Sequence, residues 1–122
     1  MSSGVGGTVG ATVPPWHTAA ARRVDGPVSV VEMITFRLAP GVAEGDFLEA
    51  DARMQAEFCY RQPGIVRRTT ARGNGGDWIT VVLWGSMAQA DAADERSRRD
   101  PVASALAGLV EGVETRRYTT LD

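Results

Sequence analysis

Apolar and polar positions alternate and group along this chain in a way that predicts six elements. From Val28 to Leu38 the sequence VSVVEMITFRL is apolar and β-branched, and Pro40-Gly41 ends it as a turn, which predicts a first strand. A first helix is expected to begin near Glu44 to Asp46, with Asp46 and Glu49 as a capping box, and to run to Arg61, where Gln62-Pro63-Gly64 stops it. Winding that segment at about 100° per residue puts Phe47, Leu48, Met54 and Phe58 on one arc and Glu49, Arg53, Glu57 and Tyr60 on the other. Ile65 to Arg72 predicts a second strand, Gly73-Asn74-Gly75-Gly76 a turn, and Trp78 to Gly85 a third strand, so that 65–85 reads as a hairpin. Ser86 and Gln89 form an S-x-x-Q box that opens a second helix, broken or kinked at Asp100-Pro101 and resuming through Val102, Ala105, Leu106 and Leu109. Val113 to Leu121 closes as a fourth strand.

The order βαββαβ belongs to the α+β class and predicts a ferredoxin-like domain over 28–122, an antiparallel four-stranded sheet with two helices on one face. Residues 1–27 hold most of the low-complexity sequence and are expected to form a flexible tail, with local docking at Trp16 and His17. Strand three carries Ile79, Val81 and Leu83 on one side and Trp78, Val82 and Trp84 on the other, a pattern for burial on both faces. The chain's own helices cover only one of them. A homodimer through the open sheet face is therefore expected.

Composition narrows the chemistry more than it narrows the fold. The 122 residues are 43% hydrophobic with a net charge of −2, an ordinary globular balance that gives no pull toward nucleic acid or acidic membranes. No apolar run approaches the ~20 residues of a membrane span, and the N-terminal residues lack a secretory pattern, so a cytoplasmic protein is expected. All thirteen basic residues are arginine, which excludes a Schiff-base lysine. The single Cys59 excludes an internal disulfide, and the single His17 removes most zinc sites and the usual Ser-His-Asp triad. Carboxylates, arginines, hydroxyls and aromatics remain. Cys59 reads as a small buried hydrophobe, and Arg96, Arg98 and Arg99 as a solvated helix face.

Three junctions carry a family resemblance: strand one ending in Ala39-Pro40-Gly41, the helix-to-strand passage Gln62-Pro63-Gly64-Ile65, and Trp84-Gly85-Ser86 leading into the second helix. With them, Val28–Asp122 resembles the dimeric α/β-barrel superfamily, in particular its antibiotic-biosynthesis-monooxygenase-like branch. The superfamily includes cofactor-free oxygenases acting on polyketide quinols and anthrones, haem-degrading enzymes, isomerases and cyclases, so the reaction has to be argued from the site. In the haem-degrading members an asparagine and a histidine accompany the tryptophan. Ile34 and Asp94 stand at those positions here, so Trp84 is kept while the axial ligand is missing.

The resemblance puts a small-molecule pocket between sheet and helices, with Trp84 on that face. By the two-residue period Trp78, Thr80 and Val82 join it, and on strand one Glu32, Ile34 and Phe36 do. Asp51 lies inside the apolar arc of the first helix with Gln55 one turn on, and a carboxylate there needs a partner, a proton or a wet cavity. A turn at 73–76 pairs Val82 with Arg67 and Thr80 with Thr69, which turns Arg67 inward unless a bulge shifts the register. Glu32, Asp51 and Arg67 then share a space walled by Trp78, Trp84, Phe36, Met54 and Phe58. The competing expectation for the three is a buried ion network that satisfies itself.

What the resemblance implies is a cofactor-independent enzyme, oxygenase-like or a cyclase or isomerase, acting by proton abstraction on a small aromatic or polyketide-like molecule. Asp51 would be general base, Glu32 its tuning partner and Arg67 the oxyanion stabiliser, with Trp78 and Trp84 stacking on the substrate. The alternatives are a non-catalytic dimeric binding or accessory protein with the same cavity and, more weakly, a haem-handling protein.

Overall fold

Residues 29–121 are those the computed structural model describes; the 1–27 segment read above as a tail, with Trp16 and His17, lies outside them. Four strands, β1 (Val30–Leu38), β2 (Ile65–Arg72), β3 (Trp78–Trp84) and β4 (Val110–Thr119), form one antiparallel sheet in the order β2-β3-β1-β4. Helices α1 (Glu44–Glu57), α2 (Met87–Ser97) and α3 (Pro101–Ala107) lie on one side of it. This is the expected ferredoxin-like arrangement, and no helix among the described residues is long and apolar enough to cross a membrane.

The element ends differ from expectation for local reasons. Helix α1 begins after Ala43, which makes no side-chain cap, so Asp46 and Glu49 do not cap it; Glu44 and Asp46 instead place negative charge in the first turn, where the helix dipole favours it. The helix stops at Glu57, and a single 3-10 turn, Cys59–Arg61, takes up the rest of the predicted length. At Ser86 half of the box forms, Ser86 Oγ accepting from the Gln89 backbone amide at 3.2 Å while the Gln89 side chain accepts from that hydroxyl at 3.2 Å and not from the Ser86 amide. At Asp100-Pro101 the second helix divides completely. Asp100 accepts from the Ala103 amide at 2.9 Å and Pro101 occupies the first turn, where its missing N–H is harmless, so a new helix starts there. Strand β4 starts earlier than predicted, at Val110.

Two apolar clusters fix the helices to the sheet. Phe36, Phe47 and Trp78 form an aromatic group, Phe47 edge-on to Trp78 with centroids 4.9 Å apart and Phe36 stacked on Trp78 at 6.4 Å. Val30, Val82 and Trp84 pack against Ala90 and Ala93, small residues that let α2 sit close to β3. On the opposite face Val31, Met33, Ile79, Val81 and Leu83 are only half-buried and Tyr118 is exposed, so the outer side of the two central strands presents an apolar stripe. Tyr118 pairs with Val31, which settles its face as outward.

The junction motifs are a packing device. Gly85 donates its N–H to the Gly64 carbonyl at 2.7 Å, and the Gln89 side chain lies across both glycines. A methyl group at Gly64, whose φ is +88°, would fall 2.2 Å from Gln89 Oε1. Gly41 has a similar φ of +82° with nothing near it. Backbone strain of about 1–3 kcal/mol is expected for alanine at either position. Gly64→Ala should therefore lower the urea-unfolding free energy by more than Gly41→Ala; equal losses would contradict the packing role of Gln89.

Candidate active site

The hairpin register decides which arginine of β2 enters the site. Gly73 N donates to the Asp77 carbonyl at 2.7 Å, Arg72 pairs with Trp78, and Arg37 holds the loop from β1 by bonds to Asp77 Oδ1 (2.8 Å) and the Gly75 carbonyl (2.9 Å). The connection is thus one residue longer than a turn confined to 73–76. Val82 consequently faces Arg68 and Thr80 faces Thr70, whereas Arg67 pairs with Leu83, turns to the outer face and is exposed. The inward arginine is Arg68, not Arg67. The extra residue is absorbed at the other end of the strand, where the register shifts between Ile65 and Arg67. Tyr60, from the 3-10 turn, secures the result: its hydroxyl accepts from Arg68 N at 2.9 Å and donates to the Arg68 carbonyl at 3.3 Å, satisfying an edge strand that has no neighbour there.

Asp51 is buried, as its position on the inner arc of α1 demands, and Arg68 Nη2 donates to its Oδ1 at 2.7 Å. The guanidinium also reaches Gln55 Oε1 at 3.4 Å, one turn along the helix. With Arg68 at 6% and Asp51 at 8% exposure, the pair is shielded from solvent, and neither partner can be removed without stranding the other.

Glu32 is held separately. Its Oε1 accepts from Trp84 Nε1 at 3.2 Å and its Oε2 from Arg117 Nε at 2.9 Å. Arg117 continues outward, donating to Asp91 on α2 and to Met87 Sδ at 3.5 Å, so one side chain joins β4, β1 and α2. Burial works against the charge of Arg117, but the bonds to Asp91 and Glu32 outweigh it and hold its pKa above the ordinary value. The expected three-residue group is therefore two ion pairs, each carboxylate with its own arginine. Arg68 and Arg117 were both missed in the sequence, and in each case the signal was an Arg-Arg dipeptide on an edge strand, which puts one arginine inward in any register.

Both pairs line a single cavity of about 750 Å³ between the sheet and the helices. Its apolar wall includes Ile34, Phe36, Met54, Phe58, Val82 and Trp84, and Thr80 contributes a hydroxyl bonded to that of Thr70 at 3.0 Å. Exposed Asp94, Arg98, Ser104 and Thr115 form its rim between α2, α3 and β4. Trp78 does not line it; the ring is committed to the Phe36–Phe47 cluster. Gln55 touches the site through Arg68 alone. Cys59 is in the wall, and burial pushes its thiol up to about 11 against the nearby Arg68 charge, which makes it a poor nucleophile near neutral pH. Among the described residues no group of three or more His, Cys, Asp and Glu is placed to hold a metal ion.

The pair makes an energetic prediction independent of any reaction. Asp51→Asn and Arg68→Met should each lower unfolding free energy by about 3–5 kcal/mol, and the double variant should lose less than the sum by about 1–3 kcal/mol. Chemical denaturation measures both, and additive losses would contradict a direct bond.

No family model matches the chain, and no curated protein matches it. Solved structures do. SnoaB, a cofactor-independent oxygenase from Streptomyces nogalater, is 26% identical and superimposes with a TM-score of 0.66, covering 76% of this chain and 93% of that one. A protein of Nitrosomonas europaea provisionally classed as an antibiotic biosynthesis monooxygenase is 18% identical with a TM-score of 0.60, covering 76% and 90%. A dimeric ferredoxin-like protein of unknown function from Thermobifida fusca is 9% identical with a TM-score of 0.64, covering 78% and 93%.

Proposed function

The chain belongs to the dimeric α/β-barrel superfamily, on its antibiotic-biosynthesis-monooxygenase-like branch, and we propose that it is a base-initiated, cofactor-independent oxygenase of a small polycyclic aromatic, polyketide-like substrate. The observation that carries this reading is the Asp51–Arg68 bond in the wall of a cavity large enough for such a molecule. Likeness to a cofactor-independent oxygenase supports the use of O₂. We also read the apolar outer stripe of β1 and β3 as the homodimer interface, in keeping with the dimeric Thermobifida fusca neighbour.

The pair suits proton abstraction because it keeps the charge of the site constant. An anthrone-type substrate has an acidic C–H next to its carbonyl-activated rings. Asp51 takes that proton and becomes neutral, and Arg68, released from an ionised partner, directs its N–H groups at the new enolate oxygen. The carbanion forms a C–O bond to O₂, and the resulting peroxide takes its proton back from Asp51, restoring the pair. Loss of water from the hydroperoxide, with cleavage of the O–O bond and departure of the remaining C–H proton, leaves the quinone. One O₂ is consumed and one water released per quinone. Glu32, pinned by Trp84 and Arg117, orients the indole that forms part of the wall.

One observation favours a binding protein instead: both inward carboxylates are ion-paired with arginines. Oxygen uptake separates the two. With 1,8-dihydroxyanthrone, after subtraction of spontaneous oxidation, the protein should consume O₂ and form the quinone. Asp51→Asn, assayed below its unfolding temperature, should lower turnover by about 10²–10⁴-fold with binding retained. Ligand capture without O₂ uptake by the unaltered protein, or full turnover in Asp51→Asn, would overturn the proposal.

A further inference from the structure

We infer that Asp91, a surface residue of α2 outside the cavity, is a positioning residue for the Trp84 indole in the cavity wall, acting through Arg117 and Glu32. This rests on the reading of the cavity as the site of an aromatic ligand, and it adds what holds the ring that such a ligand meets.

An indole among apolar side chains is not oriented by them alone. Val30, Val82, Ala90 and Ala93 cluster with Trp84, and they offer it only methyl and isopropyl groups. Such groups fill space about a ring without deciding which way its N–H points, and the outer side-chain torsion of tryptophan has broad, roughly two-fold wells. A buried N–H without an acceptor is costly, so the direction falls to the bond that Trp84 Nε1 makes to Glu32 Oε1 at 3.2 Å.

Glu32 is no fixed anchor by itself, because a glutamate side chain has rotamer freedom to lose. Its other oxygen, Oε2, is held at 2.9 Å by Nε of Arg117, the residue directly across from it on β4. Arg117 is longer still, and α2 holds its far end: Nη1 donates to Asp91 Oδ1 and to Met87 Sδ, which lie one turn apart on that helix. The bonds thus run in one line from a carboxylate at the surface to the indole. Arg117, Glu32 and Trp84 line the cavity, whereas Asp91 is exposed and does not.

The same line settles how Trp84 meets a ligand. With its N–H turned to Glu32, the ring has no donor left and presents carbon atoms to the cavity. A fused aromatic ligand gains from a ring held at one tilt, since the geometry of an aromatic pair is specific and ordering a loose ring on binding costs affinity.

Proton–nitrogen NMR of the indole groups in the ligand-free full chain tests the line of bonds, with the Trp84 signal identified by its loss in Trp84→Phe. Removing links should move that signal upfield and speed its exchange with water in a graded order: Glu32→Leu most, Arg117→Met less, Asp91→Ala least but measurably. Glu32→Gln, which keeps an acceptor for the indole, should fall closer to the unaltered protein than Glu32→Leu does. Glu95→Ala removes a similarly exposed, ion-paired carboxylate from the same helix and should leave the signal in place. The Trp78 indole, in the aromatic cluster, should hold its position throughout, which reports an intact fold. Equilibrium dialysis with 1,8-dihydroxyanthraquinone reads the consequence: binding about tenfold weaker for Glu32→Leu and about two- to fivefold weaker for Asp91→Ala, with Glu95→Ala unchanged. An unmoved Trp84 signal in Asp91→Ala, or one that Glu95→Ala moves as far, would overturn the positioning role and leave the proposed oxygenase reaction standing. A moved signal with unchanged affinity in Asp91→Ala would overturn its bearing on the ligand. No binding by the unaltered protein would overturn the reading of the cavity as an aromatic-ligand site, a result on which the ligand-free spectra do not depend.

Discussion

Everything at the candidate site depends on the bond between Asp51 and Arg68. A carboxylate on the inner arc of α1 imposes a condition on the sheet below, which must present a cation at that point or leave a buried charge unanswered. The sheet meets the condition through backbone arrangements well away from the carboxylate. The five-residue loop at 73–77, fastened by Arg37, sets the hairpin register, the irregularity near Val66 absorbs the extra residue, and the Tyr60 hydroxyl holds both backbone groups of Arg68. None of these features touches the cavity as a catalytic group. Together they decide which of two adjacent arginines, Arg67 or Arg68, faces Asp51.

The second pair has the same logic on the other edge of the sheet. Glu32 lies on a central strand, where no neighbour on β3 supplies a cation, and the compensating charge comes from Arg117 on β4. The network continues through Asp91 to α2, so the electrostatics of the wall also fasten a helix to the sheet. Salt bridges of this kind contribute little to net stability when they are exposed and much to geometry when they are buried. Here they leave the wall polar at fixed points and apolar elsewhere, with about 750 Å³ of space between.

Much of this was legible in the sequence because it follows from periods of two and 3.6. Alternation on β3 located Trp84, Thr80 and Val82 on the inner face, alternation on β1 located Glu32 and Phe36 with them, and the helical arc singled out Asp51. Parity was legible only where an end was fixed. On β2 the pairing hung on the length of a glycine-rich loop, and one residue more in that loop exchanged Arg67 for Arg68. On β4 neither end was marked, so Arg117 could not be told from Arg116. Trp78 shares its face with Trp84 yet belongs to the aromatic cluster of Phe36 and Phe47, a distinction of position along the strand that periodicity does not carry. The Asp46–Glu49 capping box failed because the helix had already started after Ala43, with acidic residues serving its first turn instead.

The central claim is that Asp51 removes a proton from the bound molecule while Arg68 keeps the product anion in place. Absorption spectroscopy under strict exclusion of O₂ observes this step alone. The account predicts that 1,8-dihydroxyanthrone bound to the protein shows the red-shifted spectrum of its anion, and that the spectrum is absent with Asp51→Asn although the ligand still binds. A bound ligand that keeps the spectrum of the neutral molecule in the unaltered protein would contradict it.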